Sequence, residues 1–238
     1  MEAKLTELVN RLQAAAKGNL QAVALYGSAV TAEFREGHSD LNVLCLVKQA
    51  TVSDLETLHG VAEWWTQKGN HPPLLFTREE LSRSADVFAI ELLDMRSRHR
   101  ILFGENFLTT LEVPLNLHRL QVERELRINW LRLRQGILAA PLDKKSHLGI
   151  MTQSLSTFCA LFRHALFALS QPMPATKREA VAAIAAQTTA DPTVFNSLLD
   201  LREGKKNKDA IDVEAALRSY LAFVEAVTNE VDRRLATP

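Results

Sequence analysis

The sequence predicts an α/β domain over residues 1–112, followed by an all-helical bundle over residues 113–238. In the first part, segments with helical apolar spacing alternate with short apolar runs of strand length. In the second part, apolar residues recur at three- and four-residue spacing and no segment has the pattern of a strand. The chain has 238 residues, 47% of them hydrophobic, which is enough to bury two modest cores.

The elements of the first part follow one another in a regular order. An N-terminal helix carries leucines at helical spacing and ends at Gly18-Asn19. Strands are expected at 23–26, 41–47, 74–76, 87–95 and 100–103, and helices at 29–34, closed by Gly37, at 54–67 and after Thr77. The forms Ser53-x-x-Glu56 and Thr77-x-x-Glu80 are capping boxes that place the starts of two of these helices.

The second part predicts five helices, at 117–138, 148–169, 177–186, 193–201 and 213–235. Prolines and Gly204 fall in the gaps between them, where connections require residues that break helices. Thr176-x-x-Glu179 is a further capping box, at the start of the third helix.

Composition excludes several classes of function. Lys plus Arg (28) balances Asp plus Glu (28), so no net charge draws the chain onto nucleic acid. No stretch reaches the roughly 18 to 20 apolar residues of a membrane span, and the N-terminus lacks the pattern of a signal peptide. Cys45 and Cys159 lie in apolar runs without a nearby partner, which favours buried thiols and a cytoplasmic location.

The most informative stretch is Ala24-Leu-Tyr-Gly-Ser28, followed after eleven residues by Asp40-Leu-Asn-Val-Leu44. A strand that ends in Gly-Ser and opens a helix presents backbone N–H groups and a hydroxyl to a phosphate. Asp40 and Asn42 share one face of the next strand because side chains alternate along it. Oxygen ligands beside a phosphate suit a magnesium–nucleotide complex. Gly-Ser is also common in turns, and Asp40 alone could be a solvated residue at a strand edge.

The whole arrangement over residues 20–110 resembles the nucleotidyltransferase superfamily, which includes DNA polymerase β and the aminoglycoside nucleotidyltransferases. The family pattern is a strand, Gly-Ser, a short helix, a strand bearing Asp-x-Asp, and a third acidic residue on a later strand. Ile90-Glu-Leu-Leu-Asp94 is the matching segment for the third acid, and Arg100-Ile-Leu-Phe-Gly104 resembles the strand that often follows it. The resemblance implies an α/β (α+β) domain with a mixed sheet, and a helical domain after it is usual in the bacterial members.

The resemblance also implies roles for particular residues. Gly27 and Ser28 would touch the phosphates, and Asp40 and Glu91 would be the catalytic carboxylates that hold magnesium. Asp94 is the alternative to Glu91, because on a strand two residues three apart point to opposite faces.

Two further positions bear on this site. Asn42 stands where the second carboxylate of the motif belongs, and a neutral amide offsets the repulsion between two clustered dications poorly. Lys177, at the start of a helix in the second part, is a candidate to reach phosphate across a cleft between the domains.

The function that follows from the resemblance is Mg²⁺-dependent transfer of a nucleoside monophosphate from a nucleoside triphosphate, ATP first, to a hydroxyl of a small molecule or a protein. The alternative is a catalytically degenerate module of the same fold that binds nucleotide or a partner protein. The expected partners are therefore nucleotide and an acceptor, with no membrane and no nucleic acid. A homodimer is one candidate assembly.

Overall fold

The computed structural model describes residues 1–31, 34 and 40–235, and the chain divides into two compact units, Met1–Leu115 and Asn116–Pro238. The first unit contains α1 (Glu2–Ala16), β1 (Leu20–Tyr26), β2 (Asn42–Val47), α2 (Val52–Thr66), β3 (Leu74–Thr77), α3 (Arg78–Arg83), α4 (Ala89–Ser97) and β4 (His99–Gly104). Within the described part, no helix is long and apolar enough to cross a membrane.

The four strands form one mixed sheet in the order β3-β2-β1-β4. β1 is antiparallel to both β2 and β4, whereas β3 runs parallel to β2. The predicted α/β class with a mixed sheet is therefore confirmed. The central strands are buried, as their almost uninterrupted apolar sequences require.

Helices cover both faces of this sheet. Val23, Leu25 and Val43 point to one face and pack with buried leucines of α1 and with α2. Ala22, Ala24 and Leu44 point to the other face, which α3, α4 and the segment after β4 cover. Because side chains alternate along a strand, Tyr26 and Asn42 belong to the second face.

The start of α2 corrects the predicted capping box. Thr51, not Ser53, caps the helix: its hydroxyl accepts from the Asp54 N–H, and the Asp54 carboxylate accepts from the Thr51 N–H. The Asp54 carboxylate also accepts from the Asn19 side chain at 3.2 Å. The boxes at Thr77 and Thr176 are confirmed.

The predicted strand at 87–95 is wrong, because this segment forms α4. Its buried residues, Ala89, Leu92, Leu93 and Met95, lie on one side of a helix, and Ala, Leu, Glu and Met are strong helix formers. The short apolar run fits both the two-residue period of a strand and the 3.6-residue period of a helix. Its high helix propensity favours the helix.

The predicted short helix at 29–34 is also corrected. A single 3₁₀ turn spans Gly27–Val30, starting two residues earlier, and Thr31 already has extended backbone. Positions 32 and 33 of that predicted helix lie outside the described residues, as does Gly37, its predicted end.

The second unit consists of α5 (His118–Ala139), α6 (Lys144–Ala168), α7 (Lys177–Thr188), α8 (Thr193–Arg202) and α9 (Val213–Leu235). These helices match the five predicted from apolar spacing. Aromatic side chains fill the core, where Phe195 stacks on Tyr220 at 4.5 Å between ring centroids and Phe162 contacts both Phe195 and Phe223. Cys45 in the first unit and Cys159 in this one are buried and not disulfide-bonded, as predicted.

Candidate functional site

The site is built around the turn that leaves β1. Gly27 has φ +79, a conformation that favours glycine, and its N–H donates to the Arg98 carbonyl at 3.2 Å. A Cβ at this position would lie 3.6 Å from Nδ2 of Asn42. The turn therefore brings Gly27 directly beside Asn42.

Ser28 lies inside the 3₁₀ turn and is half-buried. Its carbonyl accepts from both the backbone N–H and the hydroxyl of Thr31, at 3.1 and 3.0 Å. These two hydrogen bonds tie the Ser28 carbonyl to Thr31 and so stabilise the turn. The structure thus places Gly27 beside Asn42 at the end of β1, with Ser28 next in the turn.

A row of three polar side chains crosses the sheet at this level. Tyr26 pairs with Asn42 on β2 and with His99 on β4. Burial raises the pKa of Tyr26, so its hydroxyl stays protonated at neutral pH. The His99 Nε2 lies 2.9 Å from the Asn106 Oδ1. The row supplies a hydroxyl, an amide and an imidazole next to the Gly27 turn.

Asp40 lies two residues before Asn42, the first residue of β2, and its side chain is 48% exposed. Its Oδ2 is 3.4 Å from the Nε2 of His71, and the Asn70 Oδ1 accepts from the neighbouring Leu41 N–H at 3.0 Å. The loop before β3 thus lies against the segment before β2.

His71 and Asn70 were not among the predicted site residues. Pro72-Pro73 directly before a strand was a usable signal. If that strand pairs in parallel with β2, the residues preceding both strands must meet at the same edge of the sheet.

The third acidic residue is not carried by a strand. Glu91 is exposed on α4, and Asp94 is half-buried on the same helix. Two residues three apart on a helix share a face, so the strand rule that separated Glu91 from Asp94 does not apply here. β3, the strand parallel to β2, carries Leu74, Leu75, Phe76 and Thr77 and no carboxylate.

Among the residues that the structure describes, these donors fit one magnesium ion better than two. Across residues 1–31, 34 and 40–235, no group of three or more His, Cys, Asp or Glu side chains is placed to hold a metal. Two clustered dications need more negative charge than one carboxylate gives. A single Mg²⁺ bound to a triphosphate needs only one or two protein oxygens, which Asp40 and Asn42 offer.

Lys177 belongs to the helical unit, where it is the first residue of α7, directly after the capping residue Thr176. It lies at a helix start, as predicted. Its contact with phosphate stays a prediction.

Comparison with solved structures identifies the fold. The chain is similar to spectinomycin adenyltransferase AAD(9) from Enterococcus faecialis, crystallised with ATP and spectinomycin, with 13% identity and a TM-score of 0.59 over 94% of this chain and 99% of that one. It also aligns with a nucleotidyltransferase-like protein from Exiguobacterium sibiricum, with 14% identity and a TM-score of 0.36 over 97% of this chain and 78% of that one.

No protein-family model matches the sequence, and no curated protein matches it. The likeness in three dimensions shows that the chain has the nucleotidyltransferase fold. The fold that the motif resemblance implied is thereby confirmed.

Proposed function

We propose that this chain binds a nucleoside triphosphate, ATP first, at the corner formed by Gly27, Ser28 and Asn42, and transfers its nucleoside monophosphate to a hydroxyl. The observation that carries the proposal is the contact between the Gly27 turn and Asn42 on the neighbouring strand. A glycine with positive φ leaves room for a phosphate to approach the backbone, and the amide beside it supplies polar contacts.

The likeness to AAD(9) supports the choice of substrates. That protein was crystallised with ATP and spectinomycin, and the likeness extends over both units of this chain. We therefore propose ATP as the donor and a small molecule as the first class of acceptor, with a protein hydroxyl as the second.

Each residue of the site has a distinct task in this proposal. Gly27 and Ser28 contact phosphate oxygens, and Asp40 and Asn42 hold one Mg²⁺, which when bound neutralises charge on the triphosphate. Transfer forms a bond from the acceptor oxygen to the α-phosphorus and breaks the bond to pyrophosphate, which leaves with the electron pair, while the proton of the acceptor hydroxyl passes to solvent. Because the carboxylate set is reduced, we expect transfer to be slow compared with a complete two-metal site.

The alternative function is nucleotide binding without transfer, and the position of Glu91 on an exposed helix favours it. With no carboxylate on β3, the corner could hold ATP and still fail to activate an acceptor. Glu91→Gln and Lys177→Ala test the two remaining predicted roles. Loss of transfer with intact ATP binding in Glu91→Gln would support its role as a catalytic carboxylate, and weaker ATP binding in Lys177→Ala would support its contact with phosphate.

The deciding experiment is calorimetric titration of ATP and GTP, with and without Mg²⁺, into the wild type and Asp40→Ala. We expect Mg²⁺-dependent binding that Asp40→Ala weakens and that Glu56→Ala, which removes an exposed carboxylate from α2, leaves unchanged. Absence of nucleotide binding by the wild type would overturn the proposal. Pyrophosphate release with a panel of hydroxyl-bearing acceptors then separates transfer from binding alone.

A further inference from the structure

His99 stands in the polar row beside the Gly27 turn. On β4 it pairs with Tyr26 of β1, and Tyr26 pairs in turn with Asn42 of β2. Residues directly opposite one another on antiparallel strands share a face of the sheet. Neighbouring strands lie about 4.8 Å apart, so Asn42 and His99 stand about 5 Å to either side of Tyr26. The turn that follows Tyr26 therefore has an amide on one side and an imidazole on the other.

The imidazole ring of His99 is held through Nδ1. This nitrogen lies 3.1 Å from the carbonyl oxygens of both Met95 and Arg96, in the last turn of α4. A carbonyl oxygen can only accept a hydrogen bond, so Nδ1 carries a proton. With the tautomer fixed in this way, Nε2 is the basic nitrogen of the neutral ring.

The Asn106 side chain faces Nε2 of His99. Its Oδ1 lies 2.9 Å from Nε2, and this contact is exposed to solvent. An amide suits both protonation states of the ring, because its oxygen accepts from Nε2–H and, after a half-turn, its NH₂ donates to the unprotonated nitrogen. A carboxylate in the same place would favour the protonated ring alone. Nε2 of His99 can therefore gain and lose a proton while Asn106 stays its partner.

Among the residues that the structure describes, the four strands offer no other side chain that takes up a proton near neutral pH. They carry no Asp and no Glu. Tyr26 and Cys45 keep their protons, because burial raises the pKa of both. Arg100 stays charged. Imidazole, in contrast, exchanges a proton in this pH range.

We propose that His99 is the general base of the transfer: its Nε2 takes the proton of the acceptor hydroxyl and then releases it to solvent. This role rests on the proposed transfer function. As the proton moves to Nε2, the acceptor oxygen bonds to the α-phosphorus, and pyrophosphate leaves with the electron pair of the broken bond. The acceptor hydroxyl takes the place of the Asn106 amide at Nε2. With the phosphates at the Gly27 turn, the acceptor approaches from the His99 side, opposite Asn42.

The first test separates a general base from a residue that only caps α4. His99→Asn keeps an amide donor near the position of Nδ1 for the α4 carbonyls, and it removes the basic Nε2. The kcat of transfer, measured by pyrophosphate release, should fall at least about 100-fold. ATP binding, measured by calorimetry, should stay within about twofold of the wild type, because the base contacts the acceptor and not the nucleotide. His99→Gln, a second variant without a basic nitrogen, should show the same result.

Imidazole added in solution tests the chemistry directly. In His99→Ala it should raise the rate of transfer at least about tenfold, because it can enter the space left by the ring and take the proton. It should not raise the rate of Asp40→Ala, which lacks a proposed metal ligand. His59→Ala removes an exposed histidine of α2 and should transfer at the wild-type rate.

Transfer by His99→Asn or His99→Gln within about threefold of the wild-type rate would overturn this role, as would a loss of ATP affinity equal to the loss of rate. Absence of rescue by imidazole in His99→Ala would overturn it too. ATP binding by the wild type without transfer to any acceptor would overturn both the transfer function and the role of His99. Transfer that survives the loss of His99 would overturn the role alone.

Discussion

The side-chain amide of Asn42 lies 3.6 Å from the point that a Cβ at Gly27 would occupy, so β2 presents a neutral group directly beside the turn after β1. A carboxylate of nearly the same shape fits the same space. The position therefore allows charge at the proposed site to be changed with little change in packing.

Asn42→Asp should tighten Mg²⁺-dependent ATP binding by about tenfold, or about 1.4 kcal/mol, because a second carboxylate improves the ligand set for a divalent cation. Calorimetric titration of ATP at fixed Mg²⁺ measures the effect. Asn10→Asp makes the same change on the exposed side of α1 and should have no effect. Equal affinity in Asn42→Asp and the wild type would count against Asn42 as a metal ligand.

Gly104→Ala should destabilise the protein by about 3 kcal/mol or more. A Cβ at Gly104, where φ is +78, would lie 2.8 Å from the Ala22 Cα and overlap the Gln21 carbonyl oxygen. The obstruction is backbone of the paired strand β1, so it cannot move without breaking the sheet.

Urea denaturation of the full chain measures this loss, with Gly69→Ala as the control. Gly69 has φ +83 and open space around a new Cβ, so only the conformational cost of about 1 kcal/mol applies. Equal midpoints for the two variants would show that the close approach at Gly104 has been overestimated.

Ser154→Ala should cost more stability than Tyr220→Phe, because it removes two hydrogen bonds whereas Tyr220→Phe removes one. The Ser154 hydroxyl donates to the Ile150 carbonyl at 2.9 Å, so the Tyr220 hydroxyl is the donor in their 3.0 Å contact. Tyr220 is fully buried, and this burial raises the pKa of its hydroxyl.

Tyr220→Phe leaves Ser154 its own bond and should cost about 1 kcal/mol. Ser154→Ala leaves a buried hydroxyl without its acceptor and should cost about 2 kcal/mol. Thermal denaturation of both variants gives the comparison. The reverse order would mean that the donor assignment is wrong.

The free energy of unfolding should fall as the pH is lowered from about 6.5 to about 4. His118 is buried on α5 with its Nε2 3.1 Å from the His164 Nδ1, and burial first, then the charge of His164, lower its pKa to about 4. Between these pH values the unfolded chain binds the proton and the folded chain does not, so protonation favours unfolding.

The contribution of neutral His118 to the free energy of unfolding is complete above about pH 6.5. It should decline by about 2 to 3 kcal/mol by pH 4. Urea titrations across this range measure the slope. It should flatten in His118→Gln and persist in His59→Gln, which changes an exposed histidine of α2. An unchanged slope in His118→Gln would exclude this histidine as the cause.

The helical unit was predictable because its signal is local. Apolar residues at three- and four-residue spacing, with prolines in the gaps, gave all five helices, and Thr176-x-x-Glu179 placed the start of α7. The site was predictable only in part. Gly27 lies beside Asn42, and the roles of Gly27, Ser28 and Asn42 in a nucleotide site stay predictions. The run that contains Glu91 fits both a strand and a helix, and its period alone could not decide between them.

The sequence by itself determined the two-part division into α/β and helical segments, the Gly-Ser turn after β1, and the neutral residue at position 42. Each of these depends on neighbours within a few positions in the chain. Tertiary structure alone decided that the Asn19 side chain binds the Asp54 carboxylate at the start of α2, because the two residues lie 35 positions apart. It likewise placed His71 beside Asp40, because parallel pairing of β3 with β2 joins segments that local patterns cannot connect.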